Sequence, residues 1–82
     1  MRNYYIAGNW KMHMTVAEAV ALAGALVARL GSSTERVMIA PPFTALAAVA
    51  SVIKGSALVL GAQNMGPEAK GAHTGEISPL ML

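Results

Sequence analysis

The sequence predicts an α/β fold built on a parallel sheet, and two observations carry the prediction. Three strand-length apolar runs, at Tyr4–Trp10, Arg36–Ala40 and Ala57–Ala62, alternate with two stretches of helical period. The runs are largely continuous, as in strands covered on both faces. Helices between them supply the right-handed crossovers that parallel pairing requires.

Each element follows from its residues. Tyr4–Trp10 opens on aromatic and β-branched residues and has no helical period. Thr15 followed three places later by Glu18 is a capping box, which satisfies orphan backbone donors at a helix start. Val16, Ala19, Val20, Ala23, Leu26, Val27 and Leu30 then recur at spacings of three and four, one apolar face. Gly31 suits a left-handed position just past the helix end, and Arg29 in the last turn complements the dipole. Val37, Met38 and Ile39 form the second strand, stopped by Pro41-Pro42. A shorter helix is predicted over Thr44–Ile53, with Leu46, Val49, Ala50 and Ile53 as its buried stripe and Gly55 as terminator.

Beyond the third run the pattern breaks. "MGPEAKGAHTGEI", Met65 to Ile77, has no period and carries three glycines and a proline. Loops near ~12–15 residues are uncommon without a function or a partner to pack on. Ser78-Pro79 is a helix-start signal, with Ser78 as cap and Pro79 at the first helical position. Only Leu80, Met81 and Leu82 follow. Three strands with two open edges, and two helices to cover two faces, predict residues 1–82 to be one piece of a larger single domain.

Composition narrows the function classes. The net charge of +2 comes from six basic and four acidic residues scattered along 82 positions, too dispersed for a nucleic-acid footprint. There is no cysteine, so no disulfide or thiolate metal site. The longest uncharged run, Val37–Ile53, contains Pro41-Pro42 and is too short to span a bilayer, so no membrane partner is expected. A secretory signal is disfavoured because Glu18 interrupts the approach to the apolar Ala19–Ala28 and a strand-like run precedes it. His13 and His73 match no metal spacing. Met12, Met14, Met38 and Met65 read as core filler, and Trp10 as packing.

The stretch "AGNWKM", Ala7 to Met12, is the chemically informative one. If Tyr4–Met12 is extended, Ile6, Gly8, Trp10 and Met12 share one face and Ala7, Asn9 and Lys11 the other. An amide and an ammonium then share the carboxyl end of a parallel strand, where α/β folds bind ligands. A lysine facing the sheet interior there needs a partner or an anionic ligand. A lysine that reaches solvent with no role is the alternative that spacing leaves open.

"AGNWKM" after the first strand, "APPF" (Ala40–Phe43) after the second, "GAQN" (Gly61–Asn64) after the third and "GAHTGEIS" (Gly71–Ser78) occur in order. Together they resemble the amino-terminal third of triosephosphate isomerase, over essentially the whole chain. The resemblance implies the first three βα units of a (β/α)8 barrel and the start of its third helix. It implies a cytoplasmic homodimer of glycolysis and gluconeogenesis. That enzyme interconverts dihydroxyacetone phosphate and D-glyceraldehyde 3-phosphate through an enediolate, without metal or organic cofactor.

Position by position, the resemblance makes Asn9 and Lys11 the substrate-binding pair and Lys11 the catalytic residue of this chain. Lys11 would neutralise phosphate charge and stabilise the enediolate, while Asn9 would hold its ammonium and hydrogen-bond substrate. Gln63 and Asn64 match positions that support the site and the subunit contact. Thr74, Gly75 and Glu76 match the tip of a loop that enters a pocket of the other subunit. The family often has an aromatic where this chain has His73, a departure that bears on packing at the loop tip. The family's base, electrophile, lid and main phosphate-gripping backbone fall beyond Leu82. None of Glu18, Glu35, Glu68 or Glu76 is placed to act as the base, so the isolated chain is expected to be inactive. A non-catalytic interaction fragment, using sheet edges and the long loop, is the rival expectation.

Overall fold

The computed structural model describes residues 4–82. Strand β1 (Tyr5–Asn9), helix α1 (Val16–Leu30), strand β2 (Arg36–Ala40), helix α2 (Leu46–Ile53) and strand β3 (Val59–Leu60) follow in the predicted order. A 3-10 turn at Phe43–Ala45 leads into α2, and a second occupies Pro79–Met81. Among the described residues, no helix is long and apolar enough to cross a membrane.

The strands form one parallel sheet in the order β1-β2-β3. Ile6 pairs with Val37 and Gly8 with Ile39, while Ala7, Met38 and Val59 line up on the opposite face. Val37 and Ile39 join Ala19, Ala23, Ala45, Val49, Ile53 and Leu58 in a single core cluster. Both helices therefore cover the same face of the sheet. Helices α1 and α2 also pack on each other, and Ala19 and Ala23 of α1, with Ala45 of the turn before α2, are fully buried in the shared core. Burial of each larger member (Val37, Ile39, Val49, Ile53, Leu58) contributes about 1.5–3 kcal/mol. The other face is bare, with Tyr5 56% and Val59 49% exposed.

The start of α1 matches its capping box. Thr15 Oγ1 accepts the Glu18 N–H at 3.3 Å, and Glu18 Oε1 accepts the Thr15 N–H at 2.9 Å. The bond from the Thr15 backbone N–H, and then that from its side chain, hold the Glu18 carboxyl below the usual glutamate range. Gly55 ends α2 at φ +83°, a left-handed conformation that glycine adopts without strain.

Other expectations require correction. Gly31 is right-handed, at φ −64° and ψ −17°, and donates to the Val27 carbonyl oxygen at 2.9 Å. Its lack of a side chain matters because a Cβ would collide with that same oxygen. Val16 and Val20 are exposed although they fit the apolar period, because the core reaches α1 through Ala19 and Ala23. Ile6 is likewise exposed, since β1 is an edge strand lying at the margin of the helical cover. At the carboxyl segment the predicted positions hold, with Ser78 at the cap and Pro79 opening a helical turn, and the turn over Pro79–Met81 is 3-10. Ser78 has the extended backbone of a cap, but its side chain makes no cap bond. Its hydroxyl oxygen is buried without a partner, an arrangement that costs about 1–3 kcal/mol.

The long loop is closed at its neck, where the Gly66 N–H donates to the Ile77 carbonyl oxygen at 2.7 Å. A turn at its far end joins the Glu76 N–H to His73 O at 3.0 Å, with Gly75 at φ +89°. Thr74, Gly75 and Glu76 are all exposed.

Candidate functional site

Three strand ends converge at the carboxyl edge of the sheet. β1 ends at Asn9, and the Trp10 N–H still reaches across to the Ala40 carbonyl oxygen at 3.1 Å. The Gly61 N–H continues the β3 pairing by donating to Ile39 O at 2.9 Å. Trp10 packs against the helix-covered core, so Asn9 belongs to the opposite, bare face.

The alternation expected through Met12 stops at Lys11. That residue has φ +54°, the left-handed region, which costs a non-glycine residue roughly 1–2 kcal/mol. Met14 is also left-handed, at φ +84°, a second bend that apolar spacing did not signal. The two bends turn the connection away from the strand direction. Met12 consequently stands 94% exposed and is not core filler. Met65, in the long loop, is also exposed, whereas Met14 and Met38 are partly buried as expected.

Lys11 is held at both of its peptide groups. Its backbone N–H donates to Asn9 Oδ1 at 2.9 Å. Its carbonyl oxygen accepts from Gln63 Nε2 at 2.9 Å, and the same nitrogen donates to Ala40 O at 2.8 Å. The bond Asn9 makes to Lys11 in this structure is to its backbone, and one of the two acceptor sites on the amide oxygen is used by it. The Lys11 side chain is exposed, so in this chain no desolvation penalty forces a partner on it. The arrangement can present one cation and one amide nitrogen to a ligand at the strand ends.

The carboxylates stand elsewhere. Glu18 is engaged in its capping box, and Glu35 precedes β2 at the amino end of the sheet, where its N–H donates to Ser33 Oγ at 3.0 Å. Glu68 and Glu76 lie in the long loop. Asn64 is exposed just beyond Gln63. Among the described residues, no group of three or more His, Asp or Glu side chains could hold a metal ion.

A groove of about 400 Å³ lies away from this site. It runs between α2 and the final turn, lined by Phe43, Leu46, Leu60, Ile77, Met81 and Leu82 among others, and its lining carries no charged side chain. Such a surface can pack an apolar side chain but offers an anion nothing.

Fold and strand-end geometry define a parallel α/β protein whose strand order follows chain order, with polar side chains gathered where the strands end. The family model described as Triosephosphate isomerase matches residues 4–82. Over all 82 residues the chain is 60% identical to a triosephosphate isomerase of Treponema pallidum and 58% identical to that of Treponema denticola. An alignment of 83 positions gives 58% identity to the enzyme of Chloroflexus aurantiacus. In each case all of this chain is matched, and it spans about a third (33%) of the relative's length. The chain belongs to the triosephosphate isomerase family.

Proposed function

We propose that this chain is the electrostatic part of a triosephosphate isomerase active site, carried on the first three βα units of a (β/α)8 barrel. The sequential strand order and the placing of both helices on one face support the barrel reading. On this reading the bare face of Tyr5, Ala7, Met38 and Val59 is the barrel interior, and residues 1–82 are one part of a single domain.

The single observation that carries the proposal is the placing of Lys11 beside Asn9 at the carboxyl end of β1, backed by Gln63 from the end of β3. A fixed ammonium at that position would neutralise the substrate phosphate. It would also stabilise the negative oxygen that develops as dihydroxyacetone phosphate and D-glyceraldehyde 3-phosphate interconvert through an enediolate. Charge placed in advance of that change costs no reorganisation at the moment of reaction. Asn9 directs its amide nitrogen to substrate while its oxygen holds the Lys11 backbone. The reaction is proton transfer and needs no metal or organic cofactor. The rest of the enzyme would supply the base and the electrophile, and the 82-residue chain alone is inactive. The complete enzyme is a cytoplasmic homodimer in which Gln63 and Asn64 back the contact. Thr74, Gly75 and Glu76 enter the other subunit.

The test is a hybrid in which this chain replaces the matching third of a 60%-identical relative. The hybrid isomerises triose phosphate, and Lys11→Met in it lowers kcat/KM by about 100-fold or more. A hybrid that works equally well with methionine at position 11 removes Lys11 from the mechanism. Turnover by the 82-residue chain itself, absent from its Lys11→Met variant, overturns its inactivity.

The exposed Tyr5 and Val59 on the bare face favour a second reading, a non-catalytic fragment that associates through its sheet. Concentration-dependent sedimentation of the purified chain, abolished by Val59→Lys without restoring turnover to any assembly, is the result that reading requires.

A further inference from the structure

Residue 11 is an expensive place for a lysine, and the contacts that hold it there come from two directions. Asn9 takes the N–H, and Gln63 takes the carbonyl oxygen from a position 52 residues further along the chain. The second amide hydrogen of Gln63 goes to Ala40 O, 23 residues away. That carbonyl oxygen also accepts the Trp10 N–H, so both of its lone pairs are used. One side chain thus ties the ends of all three strands, and it does so through the backbone of the lysine.

We propose that Gln63 is a positioning residue for Lys11, holding its backbone in the left-handed conformation so that the ammonium has one fixed direction. The proposal rests on the reading of Lys11 as an anion-binding residue only for its functional consequence; the geometric claim stands by itself. Two hydrogens on one nitrogen are the requirement. A methionine has the same reach with no hydrogens to give, and an asparagine is one methylene too short to span both carbonyls. The Trp10–Ala40 bond does not depend on Gln63, so its loss releases residue 11 while leaving the strands paired.

The experiment uses the isotope-labelled 82-residue chain in dilute solution, with nuclear magnetic resonance and inorganic phosphate as the probe. A positive φ brings a residue's own amide and α hydrogens close, so Lys11 gives a strong intraresidue cross-peak. Its side-chain signals shift saturably with phosphate. In Gln63→Met the cross-peak weakens and the phosphate Kd rises about fivefold, one net hydrogen bond's worth. The amides of Ala23 and Val49 in the core stay where they were. Gln63→Asn, which keeps the amide polarity, gives the same loss at Lys11 and guards against misfolding of the methionine variant.

An unchanged cross-peak in both variants overturns the proposal, as does its absence from the unaltered chain. Core shifts that move together with Lys11 also overturn it, because Gln63 is then a general strut. A Lys11→Met control separates the two claims. If phosphate shifts the backbone amides of Asn9 and Gln63 as strongly in Lys11→Met as in the unaltered chain, the anion site fails while the positioning role is judged on the cross-peak alone.

Discussion

Asn9 Oδ1 accepts the backbone N–H of Lys11 at 2.9 Å, so the amide oxygen is engaged inward while the amide nitrogen is not part of that bond. The two ends of one side chain therefore have separable tasks. Asn9→Asp keeps the acceptor and replaces the outward nitrogen with negative charge. In the hybrid enzyme this variant should fold normally and raise KM for triose phosphate tenfold or more, since like charges near 4 Å repel by about 4 kcal/mol even at an effective dielectric of 20. Steady-state kinetics at low ionic strength read the effect. A KM within about twofold of the parent assigns Asn9 to the backbone bond alone.

Met38 and Gly61 face the same bare side of the sheet, and a Cβ built on Gly61 lies 2.7 Å from the Met38 sulfur. Overpacking of this kind costs roughly 1–3 kcal/mol, and the low end applies because Met38 is flexible and only partly buried. Gly61→Ala should lower stability by about 1 kcal/mol in urea titration, and Met38→Ala in the same chain should recover most of it. Strict additivity of the two changes would show that the sulfur is not the obstacle.

Gly31 makes a different demand. Were it left-handed, asparagine would replace it with little loss. Because the obstruction is the Val27 carbonyl oxygen, alanine and asparagine should both destabilise, by about 1–3 kcal/mol. Parallel thermal melts of the two variants decide between the explanations, since rescue by asparagine alone requires a left-handed residue.

The capping box makes α1 sensitive to acid in one direction. Glu18 titrates below its unfolded value, so its stabilising contribution is complete above that value. It is lost as pH falls through the lowered folded value, beneath the ordinary glutamate range. Helical circular dichroism should therefore decline on acidification, and Glu18→Gln should remove that part of the decline while retaining an acceptor for the Thr15 N–H. Thr15→Ala should cost about 1 kcal/mol at neutral pH. An identical acid profile in Glu18→Gln would place the sensitivity elsewhere.

Local patterns in the chain announce the elements well. The capping box of Thr15 and Glu18, the proline pair after β2 and Gly55 after α2 each act within a few residues, and each is where the sequence puts it. What was not legible depends on contacts distant in sequence or on a single backbone torsion. Lys11 turns left-handed, which strands Met12 in solvent, and no apolar period encodes that turn. Gly31 resembles any helix-ending glycine until the Val27 carbonyl is seen beside it. Gln63 bridges 52 and 23 residues, so spacing is silent about it; a long amide placed just after Gly61-Ala62 at a strand end is the only local hint. Family resemblance singled out Asn9, Lys11 and Gln63, while the geometry supplies what each one holds.

The bond from Gly66 to Ile77 brings the two ends of the chain's longest irregular segment to one point. Among the described residues, that bond is the backbone clasp that closes the stretch from Pro67 to Glu76. Such a segment can be lengthened, shortened or rewritten at its tip with no message reaching the strands. On the reading that Thr74, Gly75 and Glu76 enter the other subunit, a change at the tip is felt by the assembly before it is felt by this sheet.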